Sequence, residues 1–112
     1  MNKENHKKIV RELALLNIKV AENLEITNLR EVDRIVYGNS FRVTYGEAVN
    51  NMIKANKSLE LKKEIESLKL KIDNSCLKDL YMGMTFTASQ RLNKSDLERE
   101  LEKYYLICTL SA

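Results

Sequence analysis

The chain has 112 residues, of which 44% are hydrophobic and 31% are charged, and its net charge is +3. This length suits one hydrophobic core, because two cores would each be too small to offset chain entropy without metals or disulfides. The lack of proline and the presence of only three glycines argue against an all-β sandwich or barrel, which needs many turns. The composition therefore predicts a single, mostly helical domain over residues 1–112.

The first part of the chain predicts two helices. An amphipathic helix is expected over residues 4–22, where apolar side chains recur at spacings of four, three and four: Ile9, Leu13, Leu16 and Val20. A shorter helix follows over residues 28–37. Asn28 with Glu31 three residues later resembles a capping box, and Gly38 is the expected stop signal.

Two segments alternate apolar and polar residues in the manner of β-strands, namely residues 41–45 and residues 82–87. A single strand has no partner for its backbone groups and is unstable alone. We therefore predict that the two segments pair as one short two-stranded β ribbon.

Residues 46–73 carry two apolar stripes at helical spacing. The first is formed by Ala48, Met52, Ala55 and Leu59, and the second by Leu61, Ile65, Leu68 and Ile72. The stripes are offset by two residues, which rotates the apolar face by about 200°. Either one helix changes partners midway or the chain breaks near residues 56–58. We favour one long central helix, because neither Gly nor Pro intervenes and Lys57, Leu59 and Glu60 are good helix formers.

Two more helices are predicted near the C-terminus. Ser75 is positioned to cap a short helix that ends by Gly83, and Ser95 with Glu98 forms a capping box. That box opens a last helix, whose apolar face holds Leu97, Leu101, Tyr104 and Cys108. The expected fold class is thus mostly α, with four to five helices around a long central helix and the short ribbon.

Residues that usually carry catalysis or bind metals are scarce. His6 is the single histidine, and it lies in a charged N-terminal stretch. Cys76 and Cys108 form no CxxC pair, and each falls on an apolar helical face, where a buried free thiol is expected. The three glycines stand alone and form no phosphate-binding loop. The sequence therefore predicts no enzymatic activity, no metal, no cofactor and no small-molecule substrate.

The location of the protein follows from what the sequence lacks. No stretch approaches the roughly 20 apolar residues of a membrane span, and residues 1–11 have no apolar core of signal-peptide type. We therefore expect a cytoplasmic protein with no membrane partner. The abundance of Lys, Asn, Ile and Glu is typical of AT-rich bacterial, plasmid or phage genomes, which says nothing of function.

The leading functional hypothesis comes from residues 59–72, which are apolar on more than one side, since Leu59 and Leu70 point away from the main stripe. A helix with two apolar sides is usually sandwiched, and a second chain is the simplest cover in so small a protein. We predict a non-enzymatic regulator, of inhibitor or adaptor type, that binds a protein partner or itself as a homodimer. The predicted interface residues are Leu61, Ile65, Leu68, Ile72, Tyr104 and Tyr105.

The alternative hypothesis is a DNA-binding accessory or regulatory protein. Residues 28–57 have the order of a helix-turn-helix or winged-helix-like segment. Its predicted phosphate contacts are Arg30, Arg34, Arg42, Lys54 and Lys57. The charge bias is mild, however, because residues 1–57 hold ten Lys and Arg against seven Asp and Glu. A strong nucleic-acid binder usually has a much more basic surface.

Overall fold

The computed structural model describes residues 3–38 and 42–81. These residues form four α-helices and one short 3-10 helix. Helix α1 spans Lys3–Asn23, α2 Leu29–Tyr37, α3 Tyr45–Ala55 and α4 Leu59–Asp73, and the 3-10 helix spans Cys76–Asp79. The prediction of a mostly α fold is confirmed. The last predicted helix and the ribbon segment 82–87 lie outside the described residues.

One cluster of buried side chains holds the four helices together. Helix α1 packs against α2, α3 and α4, and α3 packs against α2, α4 and the 3-10 helix. The stripe predicted for α1 is buried in this cluster: Ile9, Leu13, Leu16 and Val20. Burial of each such side chain stabilises the fold by roughly 1.5–3 kcal/mol. The amphipathic pattern of α1 therefore positions the helix against the rest of the domain.

Helix α1 ends in a Schellman motif at Glu25. The N–H of Ile26 donates to the carbonyl of Ala21, and the N–H of Glu25 donates to the carbonyl of Glu22, both at 3.0 Å. Glu25 adopts a φ of 58°, a left-handed conformation that usually belongs to glycine. This turn satisfies carbonyls at the end of α1 and leads the chain into α2, which packs back against α1.

Helix α2 begins and ends where the sequence predicts. The Asn28 side chain accepts a hydrogen bond from the N–H of Arg30 at 2.9 Å, and Gly38 follows the helix with a φ of 65°. Glu31 does not complete the predicted capping box, because its carboxylate lies 3.6 Å from the guanidinium of Arg34. The cap therefore depends on Asn28.

The chain breaks between α3 and α4, so the prediction of one long central helix is wrong. The N–H of Ser58 donates to Asn56 Oδ1 at 3.1 Å, and Asn56 Nδ2 donates to the carbonyl of Ser58 at 2.8 Å. Ser58 Oγ then accepts from the N–H of Leu61 at 3.3 Å and caps α4. These bonds outweigh the helix propensity of the short segment. The break lets the second stripe face the same core as Ala48, Met52 and Ala55 of the first stripe, while Leu59 stays exposed.

The 3-10 helix returns the chain to the start of α3. Leu77 is buried, the N–H of Tyr45 donates to the carbonyl of Leu80 at 3.0 Å, and Thr44 forms an antiparallel bridge with Tyr81. Within residues 3–38 and 42–81, this bridge is the only strand-like pairing. The described part of the chain therefore gives the predicted ribbon no support.

Candidate functional site

The α4 residues predicted to form an interface lie on the inner side of the helix. Ile65, Leu68 and Ile72 are fully buried, and Leu61 is half-buried against the same core. Side chains at these spacings share one face of a helix, and α4 packs against both α1 and α3. The interface prediction is therefore wrong for the three buried residues, because they stabilise the fold of their own chain.

The opposite side of α4 carries two leucines that remain exposed. Leu59 exposes 82% of its surface and Leu70 exposes 63%. Lys63 and Glu66 are also exposed and lie between them. The four residues follow one another at spacings of four, three and four, so they form one line about 16 Å long on the helix. We call Leu59, Lys63, Glu66 and Leu70 the outer face of α4.

The sequence contained a signal for this outer face. Leu59 and Leu70 are 11 residues apart, which is three helical turns and about 20° more. Once the stripe from Leu61 to Ile72 is assigned to the core, these two leucines share the remaining side of the helix. Their direction away from the stripe was predicted, but their alignment as one shared surface was not, and neither was the charged pair between them.

Two ion pairs connect α4 to α1. Lys19 Nζ lies 3.6 Å from Glu64 Oε2, and Lys71 Nζ lies 3.1 Å from Glu12 Oε2. All four side chains are at least one-third exposed, and exposed pairs of this kind each contribute about 1 kcal/mol or less. The orientation of α4 is therefore set mainly by its buried side chains, Ile65, Leu68 and Ile72.

A shallow groove of about 500 Å³ runs between α1 and α4 beside the outer face. Lys63 belongs both to the outer face and to the wall of this groove, and Leu15 and Leu16 provide apolar surface from α1. The other lining residues are Lys8, Arg11, Glu12, Lys19, Glu64 and Ser67. The groove extends the apolar part of the candidate surface towards α1, with more basic than acidic groups on its walls.

The basic residues predicted to bind DNA are all exposed: Arg30, Arg34, Arg42, Lys54 and Lys57. The structure brings two of them together, since Arg34 and Lys54 line one depression of about 430 Å³ between α2 and α3. Glu31 lines the same depression and forms the 3.6 Å contact with Arg34. The acidic group partly neutralises the positive charge at this place.

The helix-turn-helix or winged-helix-like segment predicted for residues 28–57 differs from a helix-turn-helix in the length of its connection. The connection between α2 and α3 runs from Gly38 to Thr44, whereas such motifs use a turn of about three to four residues. A break of that length occurs instead between α3 and α4. Helix α4 exposes three glutamates beside three lysines, so this second helix lacks the basic surface that phosphate contacts require.

The remaining sequence-based predictions concern two tyrosines, two cysteines and one histidine. Tyr104, Tyr105 and Cys108 lie outside the described residues. Cys76 was predicted to be buried, but it is exposed, because Leu77 is the residue of the 3-10 helix that enters the core. His6 falls within the range of α1, and its side chain is outside the described set.

Two kinds of feature are absent from the described residues. In residues 3–38 and 42–81, no group of three or more His, Cys, Asp or Glu side chains is placed to hold a metal ion. No helix in this part of the chain combines the length and apolar character needed to cross a lipid bilayer.

No protein-family model, curated protein or solved structure matches this chain. The candidate site is therefore defined by geometry alone, as the outer face of α4 with the α1–α4 groove beside it.

Proposed function

We propose that the protein is a non-enzymatic regulator, of inhibitor or adaptor type, that binds a protein partner through the outer face of α4. The observation that carries this proposal is the exposure of Leu59 and Leu70 on a helix whose other side is already held in the core. Single exposed leucines are common on protein surfaces. Two leucines aligned on one side of a helix form a shared apolar surface, which is what a helix offers to a protein partner.

The rigidity of α4 favours binding by this surface. Its inner side is anchored by Ile65, Leu68 and Ile72, and Ser58 caps its N-terminus. A surface that is already ordered loses less conformational entropy on association than a segment that folds on binding. A partner can therefore bind the outer face without any rearrangement of α4.

The proposal is tested by affinity capture from the native host with a Leu59→Gln/Leu70→Gln variant beside the wild type. Glutamine keeps the helix propensity of leucine and removes its apolar surface. Leu29→Gln is the matched control, because Leu29 is also exposed but lies on α2. One half of each sample is treated with nuclease.

A partner that binds the outer face resists nuclease, is retained by the wild type and by Leu29→Gln, and is lost with Leu59→Gln/Leu70→Gln. The proposal is contradicted if the double variant retains every nuclease-resistant partner, since binding then uses another surface. It is also contradicted if all captured material disappears after nuclease treatment.

The second candidate function is DNA binding, and it is favoured by the pairing of Arg34 and Lys54 at one depression. Arg30 lies one turn before Arg34, and Lys57 follows the end of α3. All four side chains are exposed and offer phosphate contacts, of which two share the depression. Such contacts position a protein on a duplex without reading its sequence.

DNA binding has its own signature in salt dependence. If phosphates are bound here, retention on duplex DNA falls steeply between low and moderate salt, and Arg34→Ala weakens it to the same extent on different sequences. Lys62→Ala removes an equal charge from exposed α4 and serves as the control. Equal losses in both variants, or no retention at low salt, would count against DNA binding at the depression.

A further inference from the structure

We infer that the partner of the outer face is a second copy of this chain, docked through an antiparallel contact between the two α4 helices. This inference rests on the proposed function and names the partner for the same surface. It follows from the order of the exposed residues, which runs apolar, positive, negative, apolar along Leu59, Lys63, Glu66 and Leu70. A surface with this order is complementary to its own reverse.

The complementarity becomes specific when two outer faces are placed about a two-fold axis. If Lys63 lies opposite Glu66 of the second copy, the same register places Leu59 opposite Leu70 of that copy. Two-fold symmetry repeats each contact, so one register gives two leucine pairs at the ends and two ion pairs in the middle. This is the self-matching pattern that an isologous interface requires, and its four-three-four spacing is the spacing of a coiled-coil seam.

The charges select the antiparallel direction. In a parallel dimer Lys63 would face Lys63 and Glu66 would face Glu66, and like charges at such short range are destabilising. Lys63 and Glu66 form no ion pair with another described residue. Both side chains are therefore available to a second copy, and the antiparallel register pairs each with its opposite charge.

The size of the contact sets the strength of the dimer. The outer face spans three helical turns, and even with Leu15 at its side the paired surface is at the small end of specific interfaces. We therefore expect a weak dimer, whose dissociation constant lies in the micromolar range or higher. Its test needs a method that traps weak association and reports the register.

Cysteine cross-linking gives the register directly. In a Cys76→Ser/Cys108→Ser background, one chain carries Leu59→Cys and another carries Leu70→Cys. The antiparallel register brings these two positions face to face, within reach of a disulfide. It leaves residue 59 of one copy about 16 Å along the helix from residue 59 of the other. We expect a disulfide dimer from the mixture and little from either chain alone.

Two outcomes of the cross-linking overturn the inference. Efficient dimerisation of the Leu59→Cys chain alone would indicate a parallel or random encounter. A mixture that forms no more cross-linked dimer than the separate chains would show that the register does not exist.

A charge exchange tests the same register without cysteine. Lys63→Glu alone places two carboxylates opposite each other, and Glu66→Lys alone places two ammonium groups opposite each other. Each variant should therefore self-associate at least about fivefold more weakly than wild type. A mixture of the two variants restores both ion pairs and should return to the wild-type affinity. Sedimentation equilibrium measures all three samples, and a mixture no tighter than its components overturns the inference.

The failure of this inference is distinguishable from the failure of the proposed function. A chain that gives no register-specific cross-link, yet loses a nuclease-resistant partner in Leu59→Gln/Leu70→Gln, overturns the second-copy assignment and leaves the outer face as a surface for a different protein. A chain that shows neither cross-link nor partner overturns both.

Discussion

Asn17 lies at the centre of the buried face of α1, one turn from Leu13 and Ala14 on one side and from Val20 and Ala21 on the other. Its side chain is fully buried, and neither amide atom has a hydrogen-bond partner among the described residues. An unpaired amide in apolar surroundings costs roughly 1–3 kcal/mol. Asn17 is therefore a local source of instability in the interior.

Replacing this amide should stabilise the protein. Leucine branches at the same carbon as asparagine and has as many side-chain heavy atoms, so Asn17→Leu removes the unpaired polar atoms without leaving a cavity. We expect the free energy of unfolding to rise by about 1–2 kcal/mol, measured by urea denaturation. Asn50→Leu, at an exposed position of α3, is the control and should change stability little. A loss of stability in Asn17→Leu would show that the amide has a partner or that the site has no room for the larger methyl groups.

At the scale of the helices, the break between α3 and α4 decides which residues reach the core. Asn56 and Ser58 form two hydrogen bonds with each other after the end of α3. Ser58 also caps the start of α4. A continuous helix would have carried the two offset stripes to different sides. With the break, Met52 of α3 and Ile65 of α4 enter the same cluster.

The sign of the stability change in Ser58→Ala distinguishes a chain that breaks between α3 and α4 from one continuous helix. Ser58→Ala removes the cap of α4, and we expect it to lower the free energy of unfolding by about 1 kcal/mol. In an uninterrupted helix the same change would raise it by about 0.5 kcal/mol, because alanine is the better helix former. Ser67→Ala, in the middle of α4 and exposed, is the control and should be neutral or slightly stabilising. Thermal or urea unfolding of both variants measures the difference.

Helix boundaries were predictable where periodicity and capping residues agreed. The caps at Asn28 and Ser75 follow from side chains that bond to the nearby backbone, and the end of α2 follows from the positive φ that Gly38 adopts. The boundary at Asn56–Ser58 was missed because the helix propensity of Lys57 and its neighbours was given more weight than the local hydrogen bonds. The offset of the two stripes was the available signal.

At the scale of the molecule, the sequence predicted that α4 is apolar on two sides but not which side the chain itself covers. That choice depends on where α1 and α3 pack, and periodicity within α4 carries no such information. The stripe from Leu61 to Ile72 entered the core, and the smaller pair, Leu59 and Leu70, remained outside. The proposed interface has therefore moved from the main stripe to the second apolar side, which Leu59 and Leu70 form.

The assignment of the two sides of α4 is the central claim, and denaturant unfolding tests it most directly. At low protein concentration, Leu68→Ala should lower the free energy of unfolding by about 2–5 kcal/mol, because it leaves a cavity in the core. Leu59→Gln/Leu70→Gln should remain within about 1 kcal/mol of wild type, because both positions are exposed. A loss in the double variant as large as that of Leu68→Ala would place these leucines in the interior and contradict a binding surface on α4.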